Sequence, residues 1–251
     1  MKKNLLFVAL LLGMTLGVSA QSDGYKGFAF GFKVGPNFGW TGSTTGAAVN
    51  EGARTGFDLG VVAEYYFARN YAIVTGVNVN FLGGHYSFLN GRMTTDSVPV
   101  LETYNVDRVY KSTLYEIPLM LKMVTNELGN APIRIYAQVG GGVGIAAKKV
   151  KVKDAIDGAP APDTWSVTDK EFSNLRVALK AGLGAQYALD ETTRLFAGVY
   201  FSHDFINSIN SIRPNYYRYY YENGEQIGER ESNARLNVLQ NRIGIEVGVL
   251  F

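Results

Sequence analysis

Arg242-Ile243-Gly244-Ile245-Glu246-Val247-Gly248-Val249-Leu250-Phe251 alternates residue by residue. Neighbours on an extended strand point to opposite faces, so Ile243, Ile245, Val247, Val249 and Phe251 share one face, opposite Arg242, Gly244, Glu246, Gly248 and Leu250. The same period of two runs through Phe57, Leu59, Val61, Ala63, Tyr65 and Phe67, through Ile73, Thr75, Val77, Val79 and Phe81, and through Val177, Leu179, Ala181, Leu183, Ala185, Tyr187 and Leu189. The chain is written in strands.

Working outward, eight such segments are expected: 27–38, 55–67, 71–87, 109–124, 133–149, 173–189, 194–205 and 236–251. Each is long enough for a tilted membrane strand of about 9 to 11 residues. Their connections alternate, short at 68–70, 125–132 and 190–193 and long at 39–54, 88–108, 150–172 and 206–235, as an up-and-down barrel with turns at one end and loops at the other requires.

The chain of 251 residues begins Met1-Lys2-Lys3, followed by an apolar run from Leu5 to Leu12 and by Val18-Ser19-Ala20, the layout of a secretory signal peptide over 1–20. Those twenty residues hold two of the 24 Lys and Arg and none of the 22 Asp and Glu, so residues 21–251 are formally neutral. A nucleic-acid partner is not expected. The absence of cysteine excludes disulfides, thiolate metal sites and cysteine nucleophiles. No later apolar run reaches the roughly 18 residues of a membrane helix. Charged residues are 18% of the chain and aromatics 13%, few charges for many rings.

A soluble barrel of the lipocalin type turns its apolar face inward and its charged face to water. Here the less apolar face is rich in Gly and Ala with isolated charges, a poor solvent surface but a good filling for a narrow lumen. With the apolar face toward lipid, Lys33, Asp58, Glu64, Glu116, Lys122, Arg134, Arg176, Lys180, Arg194, Asp204, Arg242 and Glu246 point inward, and both signs are present for pairing.

Gly56 to Tyr65, Leu114-Tyr115-Glu116-Ile117-Pro118-Leu119-Met120-Leu121-Lys122 and Arg242 to Phe251 resemble the porin-family outer-membrane β-barrel proteins of the PorT-like type, whose architecture is similar to that of the small OmpA and OmpX barrels. The resemblance implies an all-β, eight-stranded antiparallel up-and-down transmembrane barrel over 21–251, located in the outer membrane of a Gram-negative cell. It also implies that the terminal aromatic strand ending in Phe251 is an assembly signal read by the barrel-assembly machinery. It implies no catalytic residue. The sequence stops at that strand, so no periplasmic anchoring domain is expected after it.

The remaining motifs are weak. Gly142-Val143-Gly144-Ile145-Ala146-Ala147 has dinucleotide-fingerprint spacing, but a strand pattern follows where a helix is needed, and no cofactor or metal is expected. His85 and Ser87 share a face and resemble the His-x-Ser arrangement of lipid A deacylases, without an evident orienting acid. Lys149, Lys151 and Lys153 line one face and suit lipopolysaccharide phosphates, with Asp154, Asp157 and Asp163 following to neutralise them. Tyr216, Tyr217, Tyr219, Tyr220 and Tyr221 precede Asn223-Gly224, a hairpin signal, and are candidates for surface recognition or for cross-strand packing on a ribbon extending the last two strands. A weaker hairpin is expected at Phe88 to Met93. Trp40, Tyr65, Phe67, Tyr71, Tyr187 and Phe251 read as an aromatic girdle. Pro118 inside a strand suggests a bulge.

The expected role is structural or surface interaction through long outer loops, with a lumen filled by side chains and no enzymatic activity. Outer-membrane lipid and lipopolysaccharide are the expected surroundings, with an unidentified surface protein as a possible partner. Two alternatives remain: an assembly component of a protein secretion system, or a lipid A acyl hydrolase using His85 and Ser87.

Overall fold

The computed structural model describes residues 27–43, 48–93, 101–168, 171–209, 217–222, 225–231 and 236–251; the expected signal peptide lies outside them. Among the described residues thirteen strands follow one another: β1 (Phe28–Ser43), β2 (Ala48–Asn50), β3 (Arg54–Ala68), β4 (Tyr71–Met93), β5 (Leu101–Val124), β6 (Ile133–Ala146), β7 (Val150–Ile156), β8 (Ser166–Thr168), β9 (Leu175–Ala188), β10 (Arg194–Asp204), β11 (Tyr217–Glu222), β12 (Glu225–Glu231) and β13 (Val238–Leu250). Eight of them close an antiparallel ring in the order β1, β3, β4, β5, β6, β9, β10, β13 and back to β1. The other five are what an expectation of eight omits. β2 adds to β4, β7 and β8 extend the sheet beyond β5, and β11 and β12 form a separate ribbon.

The apolar face points out. Phe32, Val34, Leu59, Val77, Ile117, Leu183, Ile245 and their neighbours are exposed side by side, while Glu64, Glu116, Lys122, Arg176 and Arg242 are buried inside. A lipocalin-like interior is thereby overturned. On β4 the outward apolar belt runs from Tyr71 to Phe81. That is about 33 Å along the strand and, at a tilt near 40°, about 25 Å along the barrel axis, the height of a hydrocarbon layer. Aromatic side chains stand at its edges: Tyr65, Phe67, Tyr71, Tyr187 and Phe251 at the short-turn end, Trp40 against Phe201 at the other.

Closure depends on glycine. Four inward aromatics each lie directly across a ladder from a glycine: Tyr136 from Gly184, Tyr200 from Gly244, Phe196 from Gly248 and Tyr110 from Gly84. A Cβ at any of these glycines would enter the facing ring. The absent side chain lets each ring lie flat across the neighbouring strand, which fills the lumen without pushing the strands apart.

Pro118 makes no bulge. Its strand keeps one register with β4 from Tyr71↔Met123 to Met93↔Leu101, and only the pairs around Gly76 and Val77 are missing from the ladder. The Thr75 hydroxyl donates to the Pro118 carbonyl at 2.8 Å, so a side chain satisfies the carbonyl whose ladder pair with β4 is missing.

Several loop expectations are also corrected. Asn90 and Gly91 are not a turn but continue β4, facing Tyr104 and Thr103 of β5. The alternating stretch at 148–153 is interrupted between β6 and β7. The tyrosine ribbon is a separate sheet, not an extension of the last two ring strands, because the chain after β10 turns inward to bridge Ile209 with Phe172 and Val238. Among the short turns, the Asp190 carboxylate accepts the Thr192 N–H at 2.7 Å, the Thr192 hydroxyl at 2.8 Å and the Thr193 N–H at 2.7 Å. These donors favour the anion and hold its pKa at about 2, below the ordinary 3.8.

Two outcomes follow. The turn's contribution from Asp190 is complete above its unfolded pKa and is lost as pH falls through about 2, a midpoint read by titrating the Asp190 carboxyl chemical shift. Gly244→Ala is expected to destabilise the barrel by about 2 kcal/mol through overpacking against Tyr200, and Tyr200→Ala in the same chain to cancel the steric part. Urea titration of the heat-modifiable gel band in detergent micelles measures both; additive losses would show that the ring and the glycine do not meet.

Candidate functional site

Charges in the ring are arranged in layers. Nearest the short turns, Glu64 accepts from Lys122 and from the Tyr66 hydroxyl at 2.6 Å, Arg194 donates to that hydroxyl at 3.2 Å, and the Lys122 ammonium lies 4.2 Å from the Tyr136 ring centroid. One layer up, Glu246 accepts from Lys33 at 2.9 Å, from Gln138 at 3.1 Å and from Tyr136 at 3.4 Å. Above it, Asp58 takes Asn37 at 2.7 Å and the Tyr200 hydroxyl, while Glu116 is shared by Lys180, Arg242 at 2.7 Å and Asn78 at 3.4 Å. The top layer pairs Arg176 with Asp204 at 3.2 Å.

Five cations, Lys33, Lys122, Lys180, Arg176 and Arg242, thus pair with four anions, Glu64, Glu116, Asp204 and Glu246, while Asp58 is held by the Asn37 amide and the Tyr200 hydroxyl. The alternation places these residues on one face, and the ring brings strands remote in sequence within bonding distance. Arg134 does not join them; its Nε donates to the Thr125 carbonyl at 3.0 Å, in the turn before β6. Tyr66, Tyr136 and Tyr200 also occupy inward positions and join the network through their hydroxyls, members that a search for charged residues does not find. A cavity of about 30 Å³ between the layers, touched by Lys33, Asp58, Asn78, Lys180, Tyr200 and Glu246, has room for about two water molecules.

Beyond the belt the inward face changes character. Tyr86, Phe88, Val106, Tyr110, Val150, Val152, Phe172, Ile209, Leu236 and Val238 are buried together as an apolar core above the charged lumen. Arg108 crosses its edge, donating twice to Asp154 at 2.7 and 2.6 Å and once to Glu171, with the Phe88 ring centroid 5.5 Å away. A forked pair of this kind fixes β7 and the segment before β9 to β5. Burial raises the pKa of the Tyr86 phenol, with Arg108 acting the other way.

The structure supplies the acid that the His85 and Ser87 pattern lacked. Asp107, on the neighbouring strand, meets His85 Nε2. However, the other imidazole nitrogen faces Arg54 at 3.4 Å, and the Ser87 hydroxyl donates to Glu51 at 2.5 Å. No nitrogen of His85 reaches the Ser87 hydroxyl, as a nucleophile and its base require. Phe251 exchanges backbone bonds with Phe30 and lies on the lipid side. Tyr216 falls outside the described residues; Tyr217, Tyr219, Tyr220 and Tyr221 lie on β11. Gly142 to Ala146 lie within β6, and no helix is found among the described residues.

Removing one partner of a buried pair leaves an uncompensated charge. Lys122→Met is expected to cost about 3 to 5 kcal/mol, and Lys122→Met with Glu64→Gln clearly less. Urea midpoints in phospholipid vesicles decide this; a double variant as unstable as the sum of the singles would refute the pairing.

Among curated proteins none matches the chain. Solved structures do: neisserial surface protein A at 14% identity, covering 89% of this chain and 96% of that one with a TM-score of 0.40; the outer membrane protein OprG of Pseudomonas aeruginosa at 13%, covering 88% and 95%, TM-score 0.36; and Ail, the attachment invasion locus protein of Yersinia pestis, in complex with the heparin analogue sucrose octasulfate, at 13%, covering 89% and 99%, TM-score 0.32. The model of the outer membrane protein beta-barrel domain matches residues 19–213, and the chain therefore belongs to that family, as a protein of the outer membrane.

Proposed function

We propose that this protein is a closed, eight-stranded outer-membrane barrel of a Gram-negative cell, exported by the signal peptide at 1–20, which presents a folded platform at the cell surface without catalysing a reaction. The observation that carries the reading is the change along single strands. On β5 the inward residues Lys122, Glu116 and Ser112 give way to Tyr110, Val106 and Tyr104, while the outward residues Leu121, Leu119 and Ile117 give way to Lys111, Asp107 and Asn105. Polar inside and apolar outside suits lipid; apolar inside and polar outside suits water. The part beyond the belt is thus built as a water-exposed domain with its own core, which sits over the lumen.

Three features support a closed lumen: the paired layers, the aromatic–glycine contacts and the apolar cap. Eight strands leave room for side chains only. The PorT-like resemblance supports a role in surface assembly, with the platform as the surface a partner would meet.

Planar-bilayer recordings of the purified protein are expected to show no stable ohmic conductance; a large open channel would sink the closed-barrel reading. Protease added to intact cells is expected to cut in the exposed stretch 157–164 between β7 and β8 and to leave the belt strands uncut. For the secretion role, deletion of the gene is expected to alter the secreted proteome, and an unchanged one removes it.

A further inference from the structure

Lys111 of β5 and Lys151 of β7 are direct ladder partners on the outward face, and Lys153 is next on the same face opposite Val109. Like charges placed directly opposite repel, so a sheet carrying them gains from an anion at that spot. Both Lys111 and Lys153 approach one indole, with ammonium nitrogens 4.8 and 5.2 Å from the Trp165 ring centroid. Among the described residues no ion pair neutralises Lys111, Lys149, Lys151 or Lys153.

Two of the acids that follow in sequence, Asp154 and Asp157, are turned elsewhere. Asp154 points to the inner face, where Arg108 holds both its oxygens. Asp157 accepts the Asn105 N–H at 2.8 Å, and Asp107, on the outward face, is engaged by His85. Neither Asp154 nor Asp157 therefore offsets the lysines on this face.

Height identifies the occupant. Phe81 marks the outer edge of the belt, and its ladder partner on β5 is Thr113. Lys111 is the next outward residue, about 7 Å further along the strand and about 5 Å along the barrel axis. The headgroup layer of one leaflet is about 5 to 8 Å thick, so the ammonium groups stand among its phosphates. The face is also continuous with the lipid-facing Tyr115 and Val143. We propose that Lys111 and Lys153, which flank Trp165, together with Lys151 across the ladder from Lys111, bind the phosphate groups of an outer-leaflet lipid, with Lys149 at the margin. The site rests on the outward orientation of the platform argued above.

With Trp40→Phe, Trp165 is the chain's one remaining tryptophan, and its emission reports on the site. In detergent micelles, added diphosphoryl lipid A is expected to give a saturable change that weakens as salt rises, while phosphatidylcholine gives none. Replacing Lys111, Lys151 and Lys153 by Gln is expected to weaken binding about a hundredfold, near fivefold for each lysine, and replacement by Arg to preserve most of it. The heat-modifiable band verifies that each variant folds, and protease cutting on intact cells tests the orientation separately. Equal affinity of the wild type and the Gln variant for lipid A overturns the site. A response to heparin oligosaccharide or inorganic phosphate at the same concentration, without a response to lipid A, overturns the lipid assignment.

Discussion

The carboxylate of Glu116 is held in the middle of the lumen by Lys180, Arg242 and Asn78, and the rest of the barrel depends on contacts of this kind. A ring of eight strands has no room for a water column wide enough to solvate the buried charges, so each must find a counterion or, like Asp58, hydrogen-bond donors on a facing strand. That requirement explains the formal neutrality of residues 21–251 better than solubility does. It also makes the ring's closure and the charge pattern one problem: β5, β9 and β13 must be adjacent enough for Glu116 to meet Lys180 and Arg242.

Glycine solves the steric half of that problem. An inward aromatic fills the lumen and, as tyrosine, brings a hydroxyl to a carboxylate, but its ring is wider than the space one strand leaves. Placing glycine across the ladder from Tyr136, Tyr200, Phe196 and Tyr110 gives each ring the neighbouring strand as a floor. The abundance of glycine on the inward face is thus a packing pattern that runs between strands.

That distinction separates what was legible in the sequence from what was not. Face and belt follow from a period of two within one strand, so most of the inward charges, from Asp58 to Glu246, could be named from spacing alone. Everything that needs register could not. The aromatic–glycine pairs, the Thr75 bond to Pro118, the turn position of Arg134 and the His85–Asp107 contact all join residues on neighbouring strands or turns. Of the extra strands, β2 and β8 have only three residues each, too few for a period of two to stand out, and beyond the belt the alternation inverts. A search for apolar outward positions stops where Tyr115 gives way to Thr113 and Lys111.

The inversion is also what gives the surface its chemistry. Once the apolar positions of β5 and β7 move to the inner face, the outward positions are released from lipid and filled by Lys, Asp and Asn. An acid on the inner face, such as Asp154, then serves the core through Arg108 and is withdrawn from the surface, although it adjoins Lys153 in sequence. Net charge along a segment therefore says little about a strand that separates its residues onto two faces. The cationic face at the rim and the partly buried ion pair on its inner side are two consequences of one alternation, and each requires the other to stay on its own side.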